Sequence, residues 1–217
     1  MFNKIHLSFE FKSMGWAFFV PFLPFIILGY QLFTIVHEAS VIYLTFEFLI
    51  APFGCWWLIF LYQEHFEGGL VELLPSYPLS KWQHGLLKGG IVITIYLIIM
   101  SLFILLASLF IPNATFGPMA LKYISLSFLF CSVSFVFVTT VKNVIISLSI
   151  IAIYTVTEYM TRGDVIPWHH LFTFNIEPPT YKDSISNAIV HIVFGLLFFF
   201  IGHLRILKTF NFMQKSR

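Results

Sequence analysis

The sequence predicts an all-α polytopic membrane protein with six transmembrane helices. The first observation is that 59% of the 217 residues are hydrophobic and only 10% are charged, whereas soluble domains carry about 25% charged residues. The second is the presence of 28 phenylalanines, whose apolar surface is costly to expose to water. The third is a series of apolar stretches close to the ~20 residues that a helix needs to cross the hydrocarbon core. We therefore expect a single transmembrane domain over residues 1–217.

Short polar or turn-forming segments separate the apolar stretches. The predicted spans are Met14 to Val36, Val41 to Tyr62, Gly85 to Ile111, Phe116 to Val141, Val144 to Tyr159 and Asn187 to Leu204. Around them we expect a cytoplasmic N-terminal segment (1–13), a cytoplasmic loop (63–84) and an outer loop (160–186).

The lysines and arginines predict the orientation. If the N-terminus is cytoplasmic, six spans return the C-terminus to the cytoplasm, and only Lys122, Arg162 and Lys182 among the twelve basic residues fall on outer segments. Basic residues near span ends favour the cytoplasmic side. The sequence thus predicts cytoplasmic termini and a multi-pass protein of a bacterial plasma membrane. The lipid bilayer is the expected environment, and a net charge of +2 gives no reason to expect nucleic acid as a partner.

The loop at 63–84 carries a pattern of its own. Gly68-Gly69 allows the backbone to break after the second span. Pro75 and Pro78 then limit the length of regular structure. Between them, apolar residues recur at helical spacing at Leu70, Leu73, Leu74 and Tyr77. We therefore expect a short amphipathic helix, which has to bury its apolar stripe in the lipid interface or in a partner protein.

This segment resembles the permease subunits of type-2 ABC transporters, whose loop between the second and third spans combines a glutamate, a glycine, a Glu-Leu-Leu triplet, a proline, a serine and a later lysine. The matching residues here are Glu64, Gly68 or Gly69, Glu72, Leu73, Leu74, Pro78, Ser80 and Lys88. The sequence departs from the pattern at His65-Phe66, where a basic residue is common, and at Pro75. The predicted topology is also similar to that of the family.

The resemblance implies that this chain is the membrane subunit of an ATP-driven exporter. The amphipathic helix would be a coupling helix that docks on a separate ABC ATPase subunit. The coupling residues would be Glu64, Glu67, Gly68, Gly69, Glu72, Leu73, Leu74, Tyr77 and Pro78. ATP and Mg²⁺ would bind in that partner, because this sequence has no phosphate-binding loop motif. The chain itself would not be an enzyme.

The family also implies a second permease subunit, identical or related, and transport of a hydrophobic or amphipathic substrate such as a peptide, an antibiotic or a lipid-like molecule. Alternatively, the segment is an interfacial loop without a coupling role. Two other classes of function stay open. An intramembrane enzyme would need paired polar groups near the bilayer centre, and a non-transporting scaffold or immunity protein would need none.

The first thirteen residues leave two alternatives. Ile5, Leu7, Phe9 and Phe11 alternate with polar residues, which is strand-like spacing. The resemblance instead implies an interfacial helix before the first span.

Glu47 is an ionisable residue inside the second predicted span, where a charge is costly. It either lines a pathway or makes an intramembrane hydrogen bond, or the span starts later and Glu47 lies at the outer interface. Glu158 ends the fifth span, and helical i,i+4 spacing predicts an ion pair with Arg162.

The remaining polar and small residues suggest packing more than chemistry. We expect His191 and His203 to be packed and hydrogen-bonded in the last span. Nothing fixes the spacing of His37-Glu38 and His169-His170, so no metal site is predicted. Gly195 and Gly202, seven residues apart, permit close helix contact on one face. The two cysteines, Cys55 and Cys131, lie in apolar stretches and are expected to be buried thiols without a disulfide.

Overall fold

The computed structural model describes residues 7–34, 39–66, 82–165, 170–174 and 177–215. Every regular element in this part of the chain is helical. The helices are α1 (Leu7–Ser13), α2 (Phe22–Thr34), α3 (Ala39–Leu44), α4 (Ala51–Leu61), α5 (Gln63–Phe66), α6 (Lys88–Phe110), α7 (Phe116–Val141), α8 (Val144–Thr161) and α9 (Tyr181–Lys215), with a 3₁₀ turn at Gly15–Phe18 and π-helical turns at Thr45–Ile50 and Gln83–Leu87.

Six helical segments are long and apolar enough to cross a membrane, which confirms the predicted number. They are Gly15–Thr34, Ala39–Leu61, Gly85–Phe110, Phe116–Val141, Val144–Thr161 and Tyr181–Thr209. The second and fourth segments form the centre, with 67% and 61% of their most apolar windows buried, whereas the fifth and sixth have only 22% buried. The peripheral segments therefore present most of their apolar surface to lipid or to another protein.

The last helix begins earlier than the sequence analysis predicts, at Tyr181 instead of Asn187. Thr180 caps it: the Thr180 hydroxyl donates to the Asp183 carboxylate at 2.8 Å and accepts from the Asp183 backbone N–H at 3.4 Å. Such a reciprocal cap starts a helix even in a polar stretch. The connection between α8 and α9 is correspondingly shorter than the expected 160–186, since α8 continues to Thr161.

The described part of the N-terminal segment is helical, so the strand-like alternation there is misleading. On α1, Phe11 packs against Phe18 and Trp57, with ring centroids 4.9 and 6.1 Å apart. Tertiary packing of this kind overrides a weak periodicity in a short segment.

The second span changes its winding at the π-helical turn Thr45–Ile50. Pro52 follows this turn, and proline cannot donate the backbone hydrogen bond that continues an α-helix. Beside this turn, the Tyr96 hydroxyl donates a hydrogen bond to the Ile50 carbonyl at 2.6 Å. The irregular turn places Glu47 in the interior of the bundle.

α7 and α9 pack closely because glycines remove side chains from the contact. A Cβ atom on Gly195 would lie 2.7 Å from the Phe128 ring, and one on Gly202 would lie 2.5 Å from the Phe135 ring. The two glycines and the two phenylalanines are each seven residues apart, which confirms the predicted close contact on one helix face. Cys55 and Cys131 are buried free thiols, also as predicted.

Candidate functional site

Most of the predicted coupling residues lie outside the described residues: Glu67, Gly68, Gly69, Glu72, Leu73, Leu74, Tyr77 and Pro78. Glu64 lies on the short helix α5, which extends the second span. The structure does describe the base of this loop, where the chain leaves the second span and enters the third.

The two ends of the loop are joined by a buried hydrogen bond. The Tyr62 hydroxyl donates to the Gly85 carbonyl at 3.1 Å, across 23 residues of sequence. Gly89 also lies against Tyr62, since a Cβ there would be 3.3 Å from the hydroxyl oxygen. The loop thus leaves and re-enters the bundle at one place.

The last span also contacts this base. The ring centroids of Trp82 and His203 lie 4.8 Å apart. The His203 ring occupies the space that a Cβ atom on residue 85 would need, so only glycine fits there. His203 is buried, as predicted, but neither ring nitrogen has a hydrogen-bond partner among the described residues. The expected hydrogen bond of His203 is therefore not found there.

A buried ion pair attaches α1 to the same region. Lys88 Nζ lies 2.5 Å from Glu10 Oε2, and the Lys88 side chain is fully buried. Lys88 Nζ also lies 5.7 Å from the centre of the Tyr62 ring. α1, the second span, the third span and the last span therefore meet at the base of the 63–84 loop.

A second buried ion pair lies at the opposite end of the bundle. Glu47 is fully buried, and its Oε2 accepts a hydrogen bond from Lys122 Nζ at 3.0 Å. Its Oε1 accepts from the Thr173 hydroxyl at 3.1 Å and from the Thr173 backbone N–H. The hydrogen bond considered for Glu47 is thus present inside the bundle, whereas its depth relative to the outer interface stays a prediction. A pathway role for Glu47 stays a prediction.

Lys122 is expected on an outer segment, but it lies inside α7 and only 3% of it is exposed. The sequence contains a signal for the pair. The second and fourth spans each have one charged residue among their first nine residues, Glu47 and Lys122 respectively, and both spans run in the same direction. Opposite charges at similar depth in an apolar bundle are expected to meet, because an unpaired one is costly.

Glu158 does not form the predicted ion pair with Arg162. The helix ends at Arg162, which has a left-handed backbone conformation (φ 50°), so the helical i,i+4 geometry is lost. The fully buried Glu158 carboxylate instead contacts the Tyr154 hydroxyl at 3.2 Å and His170 Nδ1 at 3.4 Å, both through Oε1. Among the described residues, Oε2 has no hydrogen-bond partner.

Both carboxylates hold the same short segment, residues 170–174, which we call the 170–174 strap. Glu47 binds it at Thr173 and Glu158 contacts it at His170. Between these two points Phe172 is buried against aromatic rings. Its ring centroid lies 4.3 Å from Phe48, 5.7 Å from Phe130 and 6.2 Å from Tyr154. The strap is therefore fixed by one aromatic side chain and two acidic groups.

A cavity of about 190 Å³ lies between α7 and α8 and reaches the strap. Its lining exposes no polar surface. The lining residues are Leu129, Phe130, Val133, Phe137, Ile150, Ile151, Tyr154 and Leu171.

The other histidines do not form a metal site in the described part of the chain, where no group of three potential metal ligands occurs. His191 is buried and lies 3.3 Å from the Ser125 hydroxyl, in agreement with the expected packing. His37, Glu38 and His169 lie outside the described residues.

Comparison of the chain with protein-family models, with curated proteins and with solved structures finds no match.

Proposed function

We propose that this chain is the membrane subunit of an ATP-driven exporter of the type-2 ABC class. It would pair with a second permease subunit, identical or related, and with a separate ABC ATPase subunit. Export would carry a hydrophobic or amphipathic substrate across a bacterial plasma membrane. The observation that carries the proposal is the combination of six spans with the glycine, Glu-Leu-Leu and proline pattern of the 63–84 loop.

The base of the loop supports a coupling role. A displacement of the 67–81 segment would act, through residues 63–66 and 82–84, on Tyr62 and Gly85, which are hydrogen-bonded to each other. Through Gly85 and Trp82 it also acts on His203 in the last span. Closely packed contacts transmit displacement because interiors have low compressibility. A partner protein that moves this loop would thus move three spans together.

The orientation required by the proposal has the loop and both termini in the cytoplasm. Lys88 and Lys122 are buried in helices and do not report on loop charge. Without them, eight basic residues lie on the proposed inner side and two on the outer side. The bias that favours this orientation is therefore kept.

The proposal is tested by co-expression and co-purification of this chain with a candidate ABC ATPase subunit. Acidic residues on the apolar stripe, in Leu73→Asp with Leu74→Asp, are expected to abolish the association. Val71→Asp is the matched control, since at helical spacing Val71 lies off the stripe of Leu70, Leu73, Leu74 and Tyr77. Association that survives in the double variant contradicts the coupling assignment, provided that both variants give the same size-exclusion profile as the unchanged chain.

Sidedness is tested with cysteines introduced at Ser80 and at Asp164. A membrane-impermeant maleimide applied to intact cells is expected to label the Asp164→Cys variant and not the Ser80→Cys variant. The reverse result contradicts the orientation and with it the coupling role. The native Cys55 and Cys131 are buried, so their background labelling is low.

A further inference from the structure

A surface groove lies where the helix α1 meets the first span. Its volume is about 400 Å³, and sites of roughly 300–1,000 Å³ hold small molecules in proteins. The wall of the groove is mostly aromatic, with Lys12 as the charged member of its described lining. The groove therefore combines an apolar surface with a cation. The lining residues are Phe11, Lys12, Gly15, Trp16, Phe18 and Phe19.

Hydrogen bonds from the second span fix the shape of this groove. The 3₁₀ turn of the first span forms one wall. The Ala17 carbonyl in this turn accepts a hydrogen bond from the Trp56 indole N–H at 3.0 Å. The Phe18 carbonyl accepts one from the Trp57 indole N–H at 2.8 Å. A Cβ atom on Gly15 would meet no atom within 4 Å. The groove is thus open at Gly15 and held in shape at the turn.

The groove lies at the end of a span, where we expect the membrane interface. The first span begins at Gly15, and α1 precedes it with Lys12 exposed. Trp16 is 88% exposed although its side chain is large and apolar. Tryptophan at the end of a span is typical of the interface, where the ring contacts lipid at the level of the headgroups. This position does not depend on which side of the membrane the N-terminus occupies.

The charge of the segment favours an anion. No carboxylate of the described residues lies within 4.0 Å of the Lys12 ammonium group, whereas Glu10 on the same helix is paired with Lys88. The charged residues of 1–21 are Lys4, Glu10 and Lys12, so the segment stays positive. Lysine at a membrane surface attracts anionic lipid. A zwitterionic headgroup brings a cation of its own, which Lys12 repels.

We propose that this groove binds an anionic phospholipid, with the lipid phosphate at Lys12 and an acyl chain against Trp16 and Phe19. A soluble phosphate would make the same contact with Lys12 but would leave the aromatic wall uncovered. The lipid accounts for both parts of the groove. The site is independent of the proposed function, because no described residue of the 63–84 loop lines it.

The test uses the full chain purified in phosphatidylcholine nanodiscs without any ATPase. Two photoactivatable phospholipids with identical diazirine-bearing acyl chains are compared, a phosphatidylglycerol and a phosphatidylcholine. We expect the phosphatidylglycerol to label residues 11–19 about fivefold more strongly, which corresponds to the attraction of one lysine for an anionic surface. Inorganic phosphate, added at matched ionic strength, is expected not to compete.

Two lysine variants test the charge. Lys12→Gln is expected to abolish the preference for phosphatidylglycerol while labelling by phosphatidylcholine stays unchanged. Lys208→Gln is the matched control, since Lys208 is an exposed lysine of α9 that six spans would place on the same side of the membrane. The control is expected to keep the preference.

Two aromatic variants test the apolar wall. Trp16→Ala is expected to lower labelling by both probes roughly fivefold, because the acyl chain loses the contact area of the indole ring. Phe33→Ala removes an aromatic ring that is 76% exposed at the other end of the same span, and it is expected to change neither. All four variants must elute as the unchanged chain does on size exclusion.

Four results overturn the proposal: equal labelling by the two probes, a preference that survives Lys12→Gln, a preference that is lost equally in Lys208→Gln, or unchanged labelling in Trp16→Ala. Competition by inorganic phosphate would overturn it too, because the ligand would then be a soluble anion. A second copy of the chain that covers the groove would prevent labelling by both probes and would also overturn it. None of these outcomes involves the ATPase, so failure of this proposal is distinguishable from failure of the coupling assignment.

Discussion

Glu47 and Glu158 are both fully buried carboxylates that contact the 170–174 strap, yet their surroundings differ. Glu47 is neutralised by Lys122 and binds Thr173 with its other oxygen. Glu158 has only the Tyr154 hydroxyl and a half-exposed His170 among the described residues. Both oxygens of the Glu47 carboxylate are therefore hydrogen-bonded, whereas Oε2 of Glu158 has no hydrogen-bond partner among the described residues. Burial alone therefore does not tell whether a carboxylate in this bundle has a fixed cationic partner, and the stability effect of removing its charge is expected to differ accordingly.

The packing of α7 also differs between two of its faces. On the side of α4 and α9, Gly54, Gly195 and Gly202 bring helices together until no further atom fits. On the side of α8, the cavity is left open. The α7 helix thus has one closely packed face, toward α4 and α9, and one face that borders a cavity, toward α8.

The largest effect is expected where the charge pair is broken on the Glu47 side. Lys122→Met removes the cation and leaves a buried carboxylate without its partner. Such changes cost about 3–5 kcal/mol of unfolding free energy. Denaturant titration of the purified protein, followed by tryptophan fluorescence, measures the loss.

The double variant Glu47→Gln with Lys122→Met is the control for this prediction. It removes both charges together, and the side-chain amide introduced at position 47 can still accept a hydrogen bond from Thr173. We expect most of the lost stability to return, because replacing a whole buried pair is often neutral. A double variant as unstable as the single one would mean that Lys122 contributes by packing and not by charge.

A smaller loss is expected from adding a methyl group on the packed face. In Gly202→Ala the new Cβ would lie 2.5 Å from the Phe135 ring, and overpacking costs about 1–3 kcal/mol. Gly90→Ala is the matched control, since a Cβ there meets nothing within 4 Å. Equal thermal stability of the two variants would contradict the close contact of α7 and α9.

Adding volume on the face of α7 that borders the α7–α8 cavity is expected to raise the stability of the protein instead of lowering it. Val133→Leu adds one methylene group toward the α7–α8 cavity, and filling a cavity commonly stabilises a protein by about 0.5–2 kcal/mol. We expect a higher melting temperature in detergent than for the unchanged chain. A lower one would indicate that the cavity walls are already in contact.

The features of this bundle that sequence alone predicts are the local ones. Six spans, buried thiols and the close contact at Gly195 and Gly202 follow from composition and spacing. The partner of Glu47 is 75 residues away, and periodicity carries no information on such a contact. Helical spacing pairs Glu158 with Arg162 only if the helix continues past the end of α8, which it does not. The sequence leaves α1 undecided because the packing that fixes this helix is tertiary.

The smallest effect on stability is expected from Glu158→Gln, which is also the sharpest test of the comparison. The amide oxygen keeps an acceptor for the Tyr154 hydroxyl, and no lysine or arginine of the described residues is left unpaired. The contact with the half-exposed His170 is expected to add little, because its 3.4 Å separation is long for a charge-assisted hydrogen bond. We therefore expect a change within about 1 kcal/mol by the same denaturant titration. A loss as large as that of Lys122→Met would mean that Glu158 already has a strong cationic partner in the folded chain. The two carboxylates would then be equivalent in their electrostatic environment.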